Sequence, residues 1–398
     1  MGCPMSKSQV VLGVTGSIAA YKAVDLASKL TQAGIVVDTI MTDNATKLVG
    51  ASSFRAITGR PVSTDMFELT NPFAIEHISL ANRADLLVIA PATANVIAKI
   101  TAGIADDLLT CTALATGAPI LVAPAMHTAM WEHVATQENV ETLLSRGITF
   151  VGPVEGRLAS GGWGAGRFAP VSELLGEILR VLGRTGDLAG CRVVITAGGT
   201  QEPIDPIRFI GNRSSGKMGF ALAEAARDRG ATVHLIAGST STARPSGVAI
   251  VDAPTAAAML DEVREAITDA DVLIMAAAVA DYAPASAAPR KLKKRDASRS
   301  LELQRTTDIL TATTEPRLRV GFAAETEDVI ENARAKLVGK QLDLIVANHV
   351  GTGESPFGSD TNRAVLIGAE TEEELPLLPK HELANRILDR VVDLLGAA

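Results

Sequence analysis

The sequence predicts an α/β protein made of two doubly wound, Rossmann-like parallel-sheet domains. Three observations carry that expectation. The chain has 398 residues, more than one ordinary domain uses. Short β-branched runs alternate with helical stretches along it, as parallel strands joined by crossover helices do. Apolar residues make up 47% but aromatic residues only 3%. The cores must therefore be filled by Ala, Val, Leu and Ile, the composition of sheets buried on both faces.

The first domain is expected over residues 1–182. A strand over Gln9–Val14 runs into the turn Gly13-Val14-Thr15-Gly16-Ser17-Ile18-Ala19. A helix is predicted over Ser17–Ala33 with Gly34 as its stop, then a strand over Ile35–Met41. Further strands are expected at Leu86–Ala90, Ile120–Ala123 and Thr149–Val151, and a closing helix at Val171–Leu182. Residues 183–190, opening Gly183-Arg184-Thr185-Gly186-Asp187, read as a linker. In the second domain, 191–398, the pattern restarts with a strand at Arg192–Thr196, a turn at Ala197-Gly198-Gly199-Thr200 and a helix at Gly219–Arg229. Strands at Thr232–Ala237, Val272–Ala277, Val320–Ala323 and Leu344–Ala347 and a terminal helix at Glu382–Leu395 follow. Ala283–Ala288 and the basic run Arg290–Arg295 together read as a mobile loop. The two halves share a pattern without aligning as a repeat.

Composition excludes several functions. A net charge of −8 makes a poor non-specific nucleic-acid binder. No apolar run reaches the roughly 18 residues of a spanning helix, and no signal peptide is visible. Cys3, Cys111 and Cys191 are scattered, and the six histidines show no paired spacing. Neither a disulfide framework nor a protein-built zinc site is expected, and a reducing cytoplasm is the simplest compartment. Met1-Gly2-Cys3-Pro4-Met5-Ser6 fits a loose myristoylation pattern. Chance, or a start at Met5, accounts for it as well.

The first glycine turn suits a phosphate. Glycines let the backbone approach it, the helix start adds amide donors, and Ser17 adds a hydroxyl. The spacing is not G-x-G-x-x-G, so no dinucleotide is implied. A tight turn without ligand is the plain alternative. Pro91-Ala92-Thr93-Ala94-Asn95 and Pro124-Ala125-Met126-His127-Thr128-Ala129-Met130-Trp131 follow strands, at the end where open parallel sheets bind ligands. His77 stands alone, and a lone histidine is more often structural than catalytic.

In order, G-V-T-G-S-I-A, E-H-I-S-L, P-A-T-A-N and P-A-M-x-x-x-M-W resemble the cysteine decarboxylases that bind flavin mononucleotide (FMN), over residues 9–170. The resemblance implies a flavodoxin-like, flavin-binding first domain with His77 as the active-site histidine. Gly16, Ser17, Ile18, Thr42, Thr93, Ala94, Asn95 and Met126 would surround the flavin, and Met126 and His127 would reach the substrate. The family usually has asparagine where this chain has His127, whose imidazole can still donate to a carboxylate. Ser160 stands where many relatives carry a cysteine that donates a proton late in the cycle. Loss of CO2 from an acylated cysteine leaves an unstabilised carbanion. Oxidation of the thiol to a thioaldehyde supplies an electron sink, and the electrons return afterwards.

In the second half, Gly211-Asn212-Arg213-Ser214-Ser215-Gly216-Lys217-Met218 nearly spells a P-loop, but Met218 replaces the hydroxyl that holds Mg2+. It remains an anion cradle before a helix. Asp281, at a strand end, fits a cation, ribose hydroxyls or a plain helix cap. Lys291, Lys293 and Lys294 fit a solvated charge run equally well. Together A-G-G-T-x-E-P-x-D-x-x-R, N-R-S-S-G-K-M-G, A-A-V-A-D-Y, K-L-K-K and G-F-A-A-E-T resemble phosphopantothenate–cysteine ligase over roughly residues 190–398. The whole chain thus resembles the bifunctional decarboxylase–ligase family of coenzyme A synthesis. The resemblance implies that the carboxylate of 4′-phosphopantothenate attacks the α-phosphorus of CTP with Mg2+. An acyl cytidylate and pyrophosphate form, and the amine of cysteine then displaces CMP. Asn212 would hold the acyl intermediate, Arg208 position the substrate and Lys291 close over the phosphates. Gly198, Gly199, Ser214, Ser215, Gly216, Lys217, Phe322 and Lys293 would bind the nucleotide, and Asp281 the nucleotide or its metal. The family forms homo-oligomers with flavin sites between subunits. Because of His127 and Ser160, the rival reading is a flavin-binding regulatory module fused to an active ligase.

Overall fold

The computed structural model describes residues 8–67, 76–293, 300–349 and 358–396. Met1–Ser6 with Cys3, and Lys294 and Arg295 of the basic run, lie outside the described residues. The chain forms two compact units, Met1–Leu182 and Gly183–Ala398.

The first unit carries β1 (Gln9–Val14), β2 (Val36–Met41), β3 (Val62–Ser63), β4 (Leu86–Ala92), β5 (Ile120–Pro124) and β6 (Thr149–Phe150). They form one parallel sheet in the order β3-β2-β1-β4-β5-β6. The alternation of β1 explains the layers. Val10, Leu12 and Val14 pack with Ala23 and Leu26 of the helix Ala20–Gln32 and with Ile178 of the helix Val171–Leu182. Val11 packs on the opposite face with Leu87, Ile97 and Leu143. A hairpin of β7 (Val154–Arg157) and β8 (Trp163–Arg167) follows β6.

The second unit carries β9 (Arg192–Ala197), β10 (Gln201–Pro203), β11 (Phe209–Gly211), β12 (Thr232–Ala237), β13 (Ala249–Asp252), β14 (Val272–Met275), β15 (Tyr282–Pro284), β16 (Leu303–Arg305), β17 (Leu318–Glu325), β18 (Leu344–His349), β19 (Thr361–Gly368) and β20 (Glu372–Pro379). Its main sheet runs β13-β12-β9-β14-β17-β18-β19-β20, and β10–β11 and β15–β16 are separate antiparallel pairs. The sheet is parallel through β18, whereas β19 and β20 are antiparallel additions. Neither was expected. β20 opens Glu372-Glu373-Glu374 and is interrupted by Pro376, a charged edge strand in which only Leu375 is buried.

Several expectations need correction. The first helix starts at Ala20, because Ser17 accepts the Ala20 amide in a turn and Gly16–Ala19 are not helical. β4 continues through Pro91 and Ala92, after a register shift beyond Ile89. The 183–190 segment is no free linker. Gly183–Thr185 form a 3-10 turn, Leu188 is buried, its amide donates to the Arg229 carbonyl, and Asp187 pairs with the Arg229 guanidinium at 2.5 Å. The segment read as a mobile loop is tied down in its described part. β15 pairs with β16, and the Ala288 amide donates to the Ile204 carbonyl at 2.9 Å.

Two candidate active sites

In the first unit the carboxyl ends of β1, β4 and β5 border a cavity of about 630 Å3. It lies where the strand order reverses between β1 and β4, the usual ligand position of doubly wound sheets. Hydroxyls lock these ends together. Thr15 Oγ1 donates to the Pro91 carbonyl (2.7 Å) and accepts from the Thr93 amide (3.0 Å), and Ser17 Oγ donates to the Ala125 carbonyl (3.0 Å). A Cβ on Gly16 would lie 2.5 Å from that of Asn44, so the turn passes only as glycine. Gly16, Ser17, Ile18, Thr93, Ala94, Met126, His127 and Ser160 all line the cavity. Ser160 sits in the turn of the β7–β8 hairpin, which the Met126 amide fastens to β5 through the Gly166 carbonyl (3.0 Å). His127 Nδ1 accepts the Ala129 amide (3.2 Å), which leaves Nε2 to carry the ring's N–H donor.

Three expected residues are absent from that lining. Asn95 is exposed on the helix Ala94–Ala102, the Thr42 amide is bonded to the Val14 carbonyl, and His77 lies on the helix Glu76–Arg83. Sequence reasoning in turn missed Lys22, Arg157, Arg167 and Phe168. Lys22 lies 5.9 Å from the Phe168 ring centre, and burial, then the Arg167 charge, hold its ammonium below the usual lysine range. Lys22 was findable as a cation in the first turns after the glycines. The arginines flank a hairpin with no comparable local sign. Cations and hydroxyls beside Met126, Met130, Leu158 and Phe168 fit a flat ring bearing a phosphate.

The second cavity, about 1010 Å3, lies at the carboxyl ends of β14, β17 and β18. Asn212, Ser214, Ser215, Gly216, Lys217, Asp281 and Phe322 line it. Gly216 (φ +80°) caps the helix Lys217–Asp228, whose first amides complete the cradle. Asn212 Nδ2 donates to the Val279 carbonyl at 2.8 Å, joining the cradle to the segment after β14. Gly198 and Gly199 stand behind the wall. A Cβ on Gly198 would lie 2.6 Å from the Ser239 carbonyl oxygen, and one on Gly199 2.9 Å from that of Asn212. They let backbones cross. Arg208, Lys291 and Lys293 are not in the lining either.

Two family models cover the chain: Flavoprotein over residues 3–183, and the DNA/pantothenate metabolism flavoprotein C-terminal domain over 188–395. The "Coenzyme A biosynthesis bifunctional protein CoaBC" of Mycobacterium tuberculosis is 46% identical over 408 residues, spanning 98% of this chain and 97% of its own. That of Bacillus subtilis is 44% identical over 397 residues, spanning 98% of each. The chain belongs to the CoaBC family. It is a bifunctional enzyme of coenzyme A biosynthesis, with a flavoprotein decarboxylase unit and a ligase unit. Among solved structures, the C-terminal domain of a CoaBC is 39% identical, covering 52% of this chain and 97% of that one, with a TM-score of 0.45. A PPC decarboxylase mutant complexed with pantothenoylaminoethenethiol is 34% identical, covering 44% and 97%, with a TM-score of 0.40.

The second unit's cavity is cationic in a guarded way. Lys217 Nζ donates to Asp360 Oδ1 and to the Gly358 carbonyl, both at 2.7 Å. Lys340 pairs with Asp308 at 2.8 Å, and Lys336 with Glu325. Lys380 is buried and donates to the Ser359 carbonyl at 2.6 Å; burial, then the nearby Lys217, pull it below the usual lysine range. Asn348 Oδ1 is buried without a hydrogen-bond partner among the described residues. The lysines, with the glycine cradle, fit a polyphosphate that takes the place of their internal carboxylate and carbonyl partners. Lys336, Lys340, Lys380 and Asn348 were missed because they come from distant elements. Among the described residues no group of three or more His, Cys, Asp or Glu could hold a metal, and no helix is long and apolar enough to cross a membrane.

Proposed function

We propose that the second unit joins 4′-phosphopantothenate to cysteine at the expense of CTP, and that the first unit decarboxylates the product to 4′-phosphopantetheine with bound FMN. The observation that carries this reading is the pair of strand-end cavities in one chain, each with a glycine turn suited to phosphate.

In the ligase unit, the substrate carboxylate attacks the α-phosphorus of CTP, pyrophosphate leaves, and the cysteine amine displaces CMP from the acyl cytidylate. The Ser214–Lys217 cradle, Lys336 and Lys340 offset the triphosphate charge. Asn212 holds the acyl group, Arg208 orients phosphopantothenate, and Lys291 with Lys293 reaches in from its loop. Mg2+ would enter with CTP, and Asp281, a carboxylate of the cavity lining, would hold it. In the decarboxylase unit, a bound flavin supplies the reversible two-electron chemistry that side chains lack. Gly16, Ser17 and Thr93 bind its phosphate end, and His127 Nε2 donates to the substrate carboxylate. His77 lies away from this chain's own lining. We assign it to a cavity completed by a second copy, in a homo-oligomer located in the cytoplasm.

Purified protein should be yellow. It should convert phosphopantothenate, CTP and cysteine to phosphopantetheine with release of CMP, pyrophosphate and CO2. His77→Asn should lower CO2 release from supplied phosphopantothenoylcysteine by about 100-fold or more, the usual weight of acid–base catalysis. Equal release by both proteins would remove His77 from the mechanism.

A further inference from the structure

One carboxylate joins two segments of the ligase unit that are far apart in the chain. Asp205 lies in the turn Ile204–Arg208 between β10 and β11, and its side chain is fully buried. Its two oxygens have different work. Oδ1 accepts the amides of Ile207 and Arg208, both at 2.9 Å, which closes the turn on itself. Oδ2 accepts Nε (3.0 Å) and Nη2 (2.5 Å) of Arg208 and the amide of Leu292 (3.1 Å). Arg208 Nη2 also donates to the Leu292 carbonyl at 3.0 Å. The Ala288 amide is held by the Ile204 carbonyl at 2.9 Å. Residues 288 and 292, on either side of Lys291, are thus both fastened to the Arg208 turn.

The turn by itself needs only Oδ1, which an asparagine would supply. The second oxygen and the negative charge go to Arg208 and to the loop. That loop, Pro289-Arg290-Lys291-Leu292-Lys293, is mostly exposed, so apolar burial does little to order it. A buried carboxylate receiving charged and backbone donors is a strong fastening. The Arg208 guanidinium, with those amides, holds the Asp205 carboxyl far below the usual carboxylate range, so the clamp stays charged at any working pH.

We propose that Asp205 is a positioning residue of the ligase reaction: it sets Arg208 and the Lys291 loop in one register, so that substrate orientation and charge neutralisation are assembled together. This rests on the roles given above to Arg208 and Lys291.

Asp205→Asn in the full-length enzyme tests it. The variant keeps size and the Oδ1 acceptor but turns an amide donor toward Arg208 and the Leu292 amide. Hydrogen exchange at Leu292 should accelerate about tenfold or more. The ligation kcat should fall about 10- to 100-fold, KM for phosphopantothenate should rise, and KM for CTP should stay within about twofold. Decarboxylation of supplied phosphopantothenoylcysteine should not change. Arg208→Lys, which keeps the charge but cannot bridge Oδ2 and the Leu292 carbonyl, should give the same exchange signature. It carries the test if Asp205→Asn does not fold. Faster exchange with unchanged kinetics overturns the positioning role, and unchanged exchange overturns the clamp. If wild-type enzyme does not ligate at all, the ligase reading fails and the positioning role with it. The exchange comparison then shows whether that failure touches the clamp.

Discussion

At the scale of single residues, the first unit's cavity depends on one missing methyl. Gly16 has no room for a Cβ, because the Asn44 side chain crosses 2.5 Å from where it would sit. Thr15 and Ser17 on either side are already committed to the ends of β4 and β5, so the turn cannot swing aside without losing those bonds. Gly16→Ala should therefore displace the phosphate turn at an overpacking cost of about 1–3 kcal/mol. Flavin retained per chain after purification should fall about tenfold or more. Full retention would show that the turn is not in the flavin site. This residue was legible in the sequence because a glycine turn at a strand end is a local signal. Lys22, Arg157 and Arg167 were less so, because their meeting depends on the fold of a hairpin.

At the scale of elements, β2 is pinned by a buried carboxylate at its third residue. Asp38, 5% exposed at its side chain, pairs with Arg60 Nε at 2.6 Å and Arg83 Nε at 2.8 Å and accepts from Gln9. Burial works against its charge, but the hydrogen bonds from Arg60, Arg83 and Gln9 and the Arg83 charge prevail, and the carboxyl sits below its ordinary value. The sign follows. This stabilisation is complete above the unfolded carboxylate value of about 4 and is lost as pH falls through the lower folded value. Asp38→Asn should cost about 1–3 kcal/mol at neutral pH, because both arginines can still turn to water. The gap in urea midpoint from wild type should shrink as pH drops below about 4. A gap of the same size at acid and neutral pH would rule out the charge as its source. Nothing in V-V-D-T-I-M announces this cluster, since its partners arrive from β1, from the loop before β3 and from the helix Glu76–Arg83.

At the scale of the molecule, each unit has its own apolar layers on both faces of its sheet. Units of this kind unfold as separate steps. Calorimetry should resolve two transitions. CTP at about 100 times its Kd should stabilise one of them by about 2.7 kcal/mol, or roughly 5–10 °C for about 200 residues. Polypeptides 1–182 and 183–398 made separately should each fold, with flavin held by the first and the CTP response by the second. A single transition that moves as a whole with CTP would refute this independence.

Local pattern alone determined a good deal. Alternating strands and helices placed most of the parallel strands, the glycine turn after β1 marked where the first cavity opens, and the glycine–lysine segment before the helix Lys217–Asp228 marked the second. Such features depend on neighbours in sequence, so they can be read there. β20 could not be read, because its charged opening and Pro376 hide a strand that is stabilised by the partner it meets, whereas the A-V-L-I run of β19 was a local signal that went unread. Nor could the packing of the supposed linker, the hold of Asp205 on Leu292, or the absence of His77 from its own chain's cavity lining. Those were decided by the tertiary structure, because each depends on the distance between groups that the chain keeps far apart.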